Sequence, residues 1–339
     1  MSGRYTSSPR LSLKTRLGLA TFSFASSTAR RSNLTINRNF MKIFDPKAPS
    51  SSKPINGVSS FDITIDPSNN LWFRLYVPTT NSTSSSRYIE ISLPVIIYFH
   101  GGGFCLLAAN SKQFDQFCRR LAREVPAVVI SVNYRLAPEY KYPCQYEDGF
   151  DALKFIDGMN FENYSVKVDL EWCFVAGDSA GGNLAHHVVV QAGEYRFSNM
   201  DVIGLIAIQP FFGGEERTES EIRFSGVPGL SIERSDWYWK AFLPEGADRN
   251  HPAVNVFGPN AVDITDLHFP ATLVVIGGFD ILRDWQMKYY EGLRKSRKEV
   301  YLIEYPNVIH GFYSITELPE SSLLLTEIRK FIRNQTSLS

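Results

Sequence analysis

The chain, 339 residues long, predicts an α/β fold with a mostly parallel central sheet flanked by helices. Two observations carry this expectation. From Leu93 onward, apolar strand-like segments alternate with segments of helical spacing, the rhythm of strands joined by crossover helices. The strand-like segments are also apolar almost throughout, so both faces of the sheet must be covered.

Taken in order, 58–66 and 71–77 read as an antiparallel hairpin around Pro67-Ser68-Asn69-Asn70, where turn-forming residues cluster between two strand patterns. Residues 81–87 read as a Ser/Thr-rich surface loop. The sheet strands fall at 94–99, 127–134, 172–176, 202–209, 271–276 and 300–305. Helices are expected near 112–123, 146–158, 182–192, 285–295 and 321–333. The stretch 211–268 breaks the rhythm. It carries Gly213-Gly214 and the aromatic run Trp237-Tyr238-Trp239, which reads either as part of a cap over an apolar pocket or as plain core. No strong linker divides the chain and no internal repeat is evident, so one domain over 1–339 is expected.

Charge and cysteine content narrow the function classes. Lys plus Arg number 35 and Asp plus Glu number 35, for a net charge of +0. That balance argues against nucleic acid or an anionic membrane as the main partner. The four cysteines, Cys105, Cys118, Cys144 and Cys173, show neither metal-ligand spacing nor a disulfide framework, so a reducing compartment, the cytoplasm, is the default. Matches such as Asn81-Ser82-Thr83 carry no weight as glycosylation sites without secretion.

The N-terminus reads in two ways. No acidic residue precedes Asp45, while Arg4, Arg10, Lys14, Arg16, Arg30, Arg31, Arg38 and Lys42 do. A Ser-rich, acid-poor start resembles an organellar transit peptide and would imply a plastid. The alternative is a lid of amphipathic helices over the active site. The apolar run 17–25 is too short to span a bilayer, so no stable membrane insertion is expected.

The chemistry rests on glycine-rich turns at strand ends. Ser179 sits in Gly177-Asp178-Ser179-Ala180-Gly181-Gly182, after a strand-like stretch and before a helix-like one. In G-x-S-x-G the serine occupies a strained strand-to-helix turn, and bulk two residues either side would clash with the returning chain. The helix that follows aims its N-terminal dipole at the hydroxyl. A second run, His100-Gly101-Gly102-Gly103-Phe104, follows the strand at 94–99. Gly102 and Gly103 can present bare N–H groups to an oxyanion, with the Ala180 N–H as the third donor. A phosphate loop would need Lys-Ser/Thr or G-x-G-x-x-G after the glycines, and neither follows.

A serine hydroxyl needs a base, and the chain has six histidines. His100 is committed to its glycine loop. His186 and His187 lie on the helix leaving Ser179 and are carried away from it. His251 and His268 stay open by position but precede every good acid candidate. His310, in the loop after the strand at 300–305, lies at a strand C-terminal end, where open α/β sheets hold functional groups. The acid must lie between serine and histidine in the chain for a Ser–acid–His order. Asp280 lies in the loop that follows the strand at 271–276, within reach of an imidazole, and is preferred. Asp284 lies further on, about one turn into a helix, as a cap or ion-pair partner. Asp178 adjoins Ser179, but adjacency on the turn points it away, toward a structural or pocket role.

These motifs, with Tyr134-Arg135-Leu136-Ala137-Pro138-Glu139 and His310-Gly311-Phe312, resemble those of the hormone-sensitive-lipase-like α/β-hydrolases, and more narrowly the plant carboxylesterases of that group. The resemblance runs from about Leu13 to nearly the end, and includes Thr35-Ile36-Asn37-Arg38 and the run from Pro210 to Arg217. It implies an α/β-hydrolase fold with an N-terminal lid (1–55) and a cap insertion (211–268). It implies a triad of Ser179, Asp280 and His310, an oxyanion hole of Gly102, Gly103 and Ala180, no cofactor, no metal and a small apolar ester as substrate. Since the family keeps its N-terminal segment in the mature fold, the lid is preferred to the transit peptide. The group also includes gibberellin receptors, which bind without hydrolysing and lack the triad histidine, and dehydratases or cyclases that use the same pocket. His310 and an intact third glycine in the His-Gly-Gly-Gly run depart from the receptor pattern.

Overall fold

The computed structural model describes residues 9, 11–79, 92–164, 166–337. The surface loop expected at 81–87, the Asn81-Ser82-Thr83 match, and Arg4 and Arg10 lie outside the described residues. Eight strands form one sheet: Val58–Asp66 (β1), Leu71–Pro78 (β2), Leu93–Phe99 (β3), Val128–Asn133 (β4), Val168–Asp178 (β5), Val202–Ile208 (β6), Ala271–Phe279 (β7) and Val300–Ile309 (β8). Their spatial order is β1-β2-β4-β3-β5-β6-β7-β8. The β1–β2 hairpin and the β2–β4 pair are antiparallel. Every pair from β4 through β8 is parallel.

Strand residues alternate between two cores, as pleating requires. On β3, Val95, Ile97 and Phe99 enter one buried cluster, and Ile96 and Tyr98 enter the other. The second face is covered by Lys112–Glu124 (α3) and Pro319–Thr336 (α9). On α3 the buried Phe114, Phe117, Cys118, Leu121 and Ala122 recur at three- and four-residue steps, the stripe a core-facing helix needs. Cys144–Asp157 (α4), Ala180–Ala192 (α5) and Arg283–Lys295 (α8) pack through Leu153, Leu184 and Leu293 into the buried clusters of the first face. Both faces are therefore covered, as the apolar strands require. The expected helices start two residues late for α4, α5, α8 and α9, because the first turn of each holds polar or small residues that the apolar spacing does not mark.

Four further helices stand outside the strand–helix alternation: Leu13–Ala29 (α1), Arg38–Phe44 (α2), Glu219–Arg223 (α6) and Ile232–Phe242 (α7). The last two fall in the segment that breaks the rhythm. Arg38 of α2 is tied to the body by hydrogen bonds to Glu139 and to the carbonyl of Ala137. Among the described residues no helix is long and apolar enough to cross a membrane. The apolar run 17–25 lies within α1, with Leu17 exposed and Ala25 buried. All four cysteines are free thiols.

Candidate active site

Every parallel strand that carries a candidate group delivers it at its C-terminal end. β3 ends at Phe99 before His100-Gly101-Gly102-Gly103, β5 at Asp178 before Ser179, β7 at Phe279 before Asp280, and β8 at Ile309 before His310. A parallel sheet aligns these ends on one edge, so residues far apart in sequence meet there. Ser179, Asp280 and His310 are brought together, and Gly102 and Gly103 line the same cavity, of about 420 Å³, as Ser179 and His310.

Ser179 has φ 50° and ψ −118°, a left-handed backbone that a residue with a Cβ rarely adopts. The turn is so tight that a Cβ on Gly177 would run into the Gly181 carbonyl, and one on Gly181 into the Phe99 carbonyl. Ser179 is the N-cap of α5, yet its side chain caps no backbone N–H. Its Oγ lies 2.9 Å from His310 Nε2 instead. His310 Nδ1 lies 2.7 Å from Asp280 Oδ2. Asp280 is wholly buried and accepts further hydrogen bonds from Gln209 Nε2 (3.0 Å), Gln286 Nε2 (2.9 Å) and the Leu282 N–H (2.9 Å). With that many donors converging on the carboxylate, His310 Nδ1 must be the N–H donor too. Nε2 then carries the lone pair and accepts from the Ser179 hydroxyl.

The glycine loop is fixed from behind by Asp178. The Gly101 N–H donates to its Oδ1 at 2.8 Å, and the hydroxyls of Tyr98 and Tyr313 also donate to it. Burial raises the Asp178 pKa against the opposing pull of those hydrogen bonds. The pocket or structural role expected of Asp178 thus takes a definite form: it clamps the loop from β3 to the turn after β5. His100 is buried and stacks on Tyr134 at 4.5 Å. Its Nδ1–H donates to the Gly101 carbonyl at 2.8 Å, and Tyr134 Oη donates to the His100 carbonyl at 2.6 Å. Burial pushes its pKa down to about 4, so the ring is neutral at neutral pH. Gly102 has φ +120° and no room for a Cβ against the Leu106 carbonyl. Among the described residues, the N–H groups of Gly102, Gly103 and Ala180 have no protein acceptor. Such N–H groups at a helix start and a glycine turn suit an anionic oxygen.

The other candidates are placed elsewhere. His186 Nδ1 meets Tyr289 Oη at 3.1 Å, and His187 stacks on Tyr146 at 4.4 Å. Burial holds both neutral, lowering His186 well below its ordinary pKa and His187 to about 3. His251 accepts from the Ala253 N–H, and His268 lines a separate surface cavity beside Gly193 and Pro270. Asp284 is the second residue of α8, closer to its start than one full turn, and accepts from the Ser220 N–H at 2.8 Å. It joins α6 to α8. The aromatic run divides between its two readings. Tyr238 lines the cavity, Trp239 is buried core stacked on Phe211 at 4.0 Å, and Trp237 reaches the Arg31 carbonyl.

Sequence reasoning missed Gln209 and Gln286. Gln209 has φ 45°, donates to Asp280 and to the Ile309 carbonyl, and accepts from the Gly311 N–H at 2.8 Å. It thereby joins the loops that carry the acid and the histidine. Its position one residue past an apolar strand was the available signal. Gln286 gave none beyond being polar inside an amphipathic helix. Among the described residues, no group of three or more His, Cys, Asp or Glu side chains could hold a metal ion.

Comparison with known proteins agrees with this geometry at the level of family. Residues 96–314 match a family model described as an alpha/beta hydrolase fold. The chain is 43% identical over 326 residues to the gibberellin receptor GID1C of Arabidopsis thaliana, covering 94% of each chain. It is 37% identical over 290 residues to probable carboxylesterase 6 of Arabidopsis thaliana, covering 84% of this chain and 83% of that one. Among solved structures it is similar to the hyperthermophilic esterase of the archaeon Pyrobaculum calidifontis, with a TM-score of 0.73 at 28% identity, covering 96% of this chain and 99% of the esterase.

Proposed function

The chain belongs to the α/β-hydrolase family, with plant gibberellin receptors and carboxylesterases among its relatives, and we propose that it is a serine carboxylesterase acting on small esters. The observation that carries the reading is the unbroken chain of hydrogen bonds from Ser179 through His310 to Asp280, beside N–H groups that no acceptor among the described residues uses. His310 Nε2 takes the Ser179 proton as Oγ attacks the ester carbonyl. The carbonyl oxygen becomes an anion held by the N–H groups of Gly102, Gly103 and Ala180. His310 then gives its proton to the leaving alcohol oxygen, and the acyl group stays on Ser179. Water, deprotonated by the same nitrogen, attacks the acyl-enzyme. The acid leaves and the Oγ proton is restored. Asp280 fixes the tautomer and stabilises the imidazolium throughout, and Gln209 and Gln286 hold Asp280. The helix α1, which lines the cavity through Leu19 and Phe22, acts as the lid, and α7 supplies the cap wall.

A second reading has an observation of its own: 43% identity to a gibberellin receptor over 94% of the chain. A receptor would bind a small ligand and turn over no ester. Hydrolysis of p-nitrophenyl esters of increasing acyl length separates the two. Wild-type turnover at some length, falling on the order of 10⁶-fold in Ser179→Ala, supports the esterase. No Ser179-dependent release at any length rejects it in favour of the receptor.

A further inference from the structure

We infer that the cavity is built for an ester carrying a carboxylate, which Arg234 binds. This deepens the esterase reading and rests on it for the word ester, although the binding itself does not require turnover. Arg234, on α7, lines the cavity together with Ser179 and His310. It is 6% exposed. Its guanidinium donates to the Gly229 carbonyl, and weakly to Ser231 Oγ at 3.4 Å. Those contacts leave Nη1 without a partner among the described residues, and no carboxylate there pairs with the side chain.

The nearby acids are engaged elsewhere. Glu233, its neighbour in sequence, is exposed and pairs with Arg30 at 3.7 Å. Asp236 on the same helix pairs with Arg217 and with Arg249 at 3.0 Å. Within the cavity wall, Asp178 is saturated by Tyr98, Tyr313 and Gly101. Glu317, exposed at the rim, accepts from Thr15 Oγ1 at 2.8 Å. Burial depresses the Arg234 pKa, with the positive charge of Arg30 acting the same way and Tyr238 and Glu233 opposing it only in part.

A guanidinium taken out of water without a counter-charge is costly, and proteins normally pair it. An anionic group on the substrate offsets that cost and matches the forked donor geometry of arginine. The Gly229 loop that Arg234 holds lies against the backbone of the triad histidine, in the wall of the cavity that Ser179 and His310 also line. The Gly229 carbonyl that Arg234 holds belongs to a residue whose Cβ, if present, would lie 3.2 Å from the His310 carbonyl oxygen. The carboxylate is therefore expected within a few bonds of the scissile ester, on the acyl or the alcohol side.

Two matched pairs test this. Mono-p-nitrophenyl glutarate against p-nitrophenyl butyrate places the charge on the acyl side, and 4-acetoxybenzoate against phenyl acetate places it on the alcohol side. In the wild type, the charged member of at least one pair should have the higher kcat/KM, by about tenfold or more. Arg234→Met should lower that charged-to-neutral ratio by about 10- to 100-fold, the worth of a charge-assisted hydrogen bond, and Arg234→Lys should recover part of it. A ratio taken within each variant is insensitive to the fraction folded. If Arg234→Met lowers both members equally, or no pair is discriminated, the assignment is overturned while the esterase reading stands. The independent arm is the affinity of Ser179→Ala for 4-acetoxybenzoate. An Arg234→Met change that weakens it about 10- to 100-fold sustains the carboxylate site even if no ester is turned over. An unchanged affinity for this probe overturns it as well.

Discussion

The helices that cover the sheet and the helices outside the strand–helix alternation are held in different ways. Side-chain caps begin α1 (Ser12), α2 (Asn37), α6 (Thr218, a full capping box with Glu221) and α7 (Ser231). No side-chain cap begins α3, α4, α5, α8 or α9. The sheet-packed helices take their stability from buried apolar faces, and some of their first-turn N–H groups find acceptors outside the helix, as Lys112 does at the Pro46 carbonyl and Asp284 at Ser220 Oγ. The outer helices, which add no layer to the sheet, rely more on local hydrogen bonds. The lesson for function lies at α5. Because that helix is held by its packing and by Asn183 rather than by a side-chain cap, Ser179 is free to turn its hydroxyl to His310, and the first N–H of the helix remains available to an oxyanion.

On this account the sheet edge holds the machinery and the outer helices shape what reaches it, so substitutions in the two regions should differ in kind. The largest effect is expected at the edge. Asp280→Asn keeps the shape but reverses one hydrogen bond, favouring the wrong His310 tautomer. Its kcat should fall on the order of 10⁴-fold with little change in KM. Gly102→Ala comes next. The Leu106 carbonyl and φ of +120° leave no place for the methyl, so the donor is displaced and kcat should fall on the order of 10²- to 10³-fold. The smallest effect belongs to the outer region. Thr15→Val removes the hydrogen bond from α1 to Glu317, an exposed contact of modest worth. It should change kcat by less than about fivefold and mainly alter KM and its dependence on acyl length. If Thr15→Val cost as much kcat as Gly102→Ala, the division between the regions would be wrong.

The division also explains what the sequence made legible. The strands of the parallel sheet stood out because burial on both faces forces near-continuous apolar runs, as at 94–99 and 271–276. Ser179 and the His100 glycine run were legible because tight turns admit few residue types. Asp280 and His310 followed from chain order and from their places at strand ends. Gln209, Gln286 and the clamp formed by Tyr98 and Tyr313 on Asp178 were not legible. Their roles arise from contacts across 71 to 135 residues for Gln209–Asp280, Tyr98–Asp178 and Tyr313–Asp178, and across six for Gln286–Asp280, and no local pattern marks such pairings. The split fates of Trp237, Tyr238 and Trp239 follow from the 100° step between successive helical residues, which sends neighbours to the Arg31 carbonyl, the cavity and the core. The expected starts of α4, α5, α8 and α9 fall two residues late because their first turns hold polar or small residues outside the apolar spacing, whereas α3 begins at Lys112 as expected.

The most direct test of the central claim is covalent labelling of the nucleophile. Diethyl p-nitrophenyl phosphate traps a serine activated by a neighbouring histidine, independently of which ester the cavity prefers. Intact-mass analysis and peptide mapping should find one diethyl phosphoryl group per chain, on Ser179, with loss of esterase activity in step with labelling. Labelling should slow at least about 10³-fold in His310→Ala, by the loss of general-base catalysis. Labelling of Ser179 at the same rate in wild type and His310→Ala, or no labelling of Ser179 at all, would contradict the claim that the three strand ends form an acyl-transfer site.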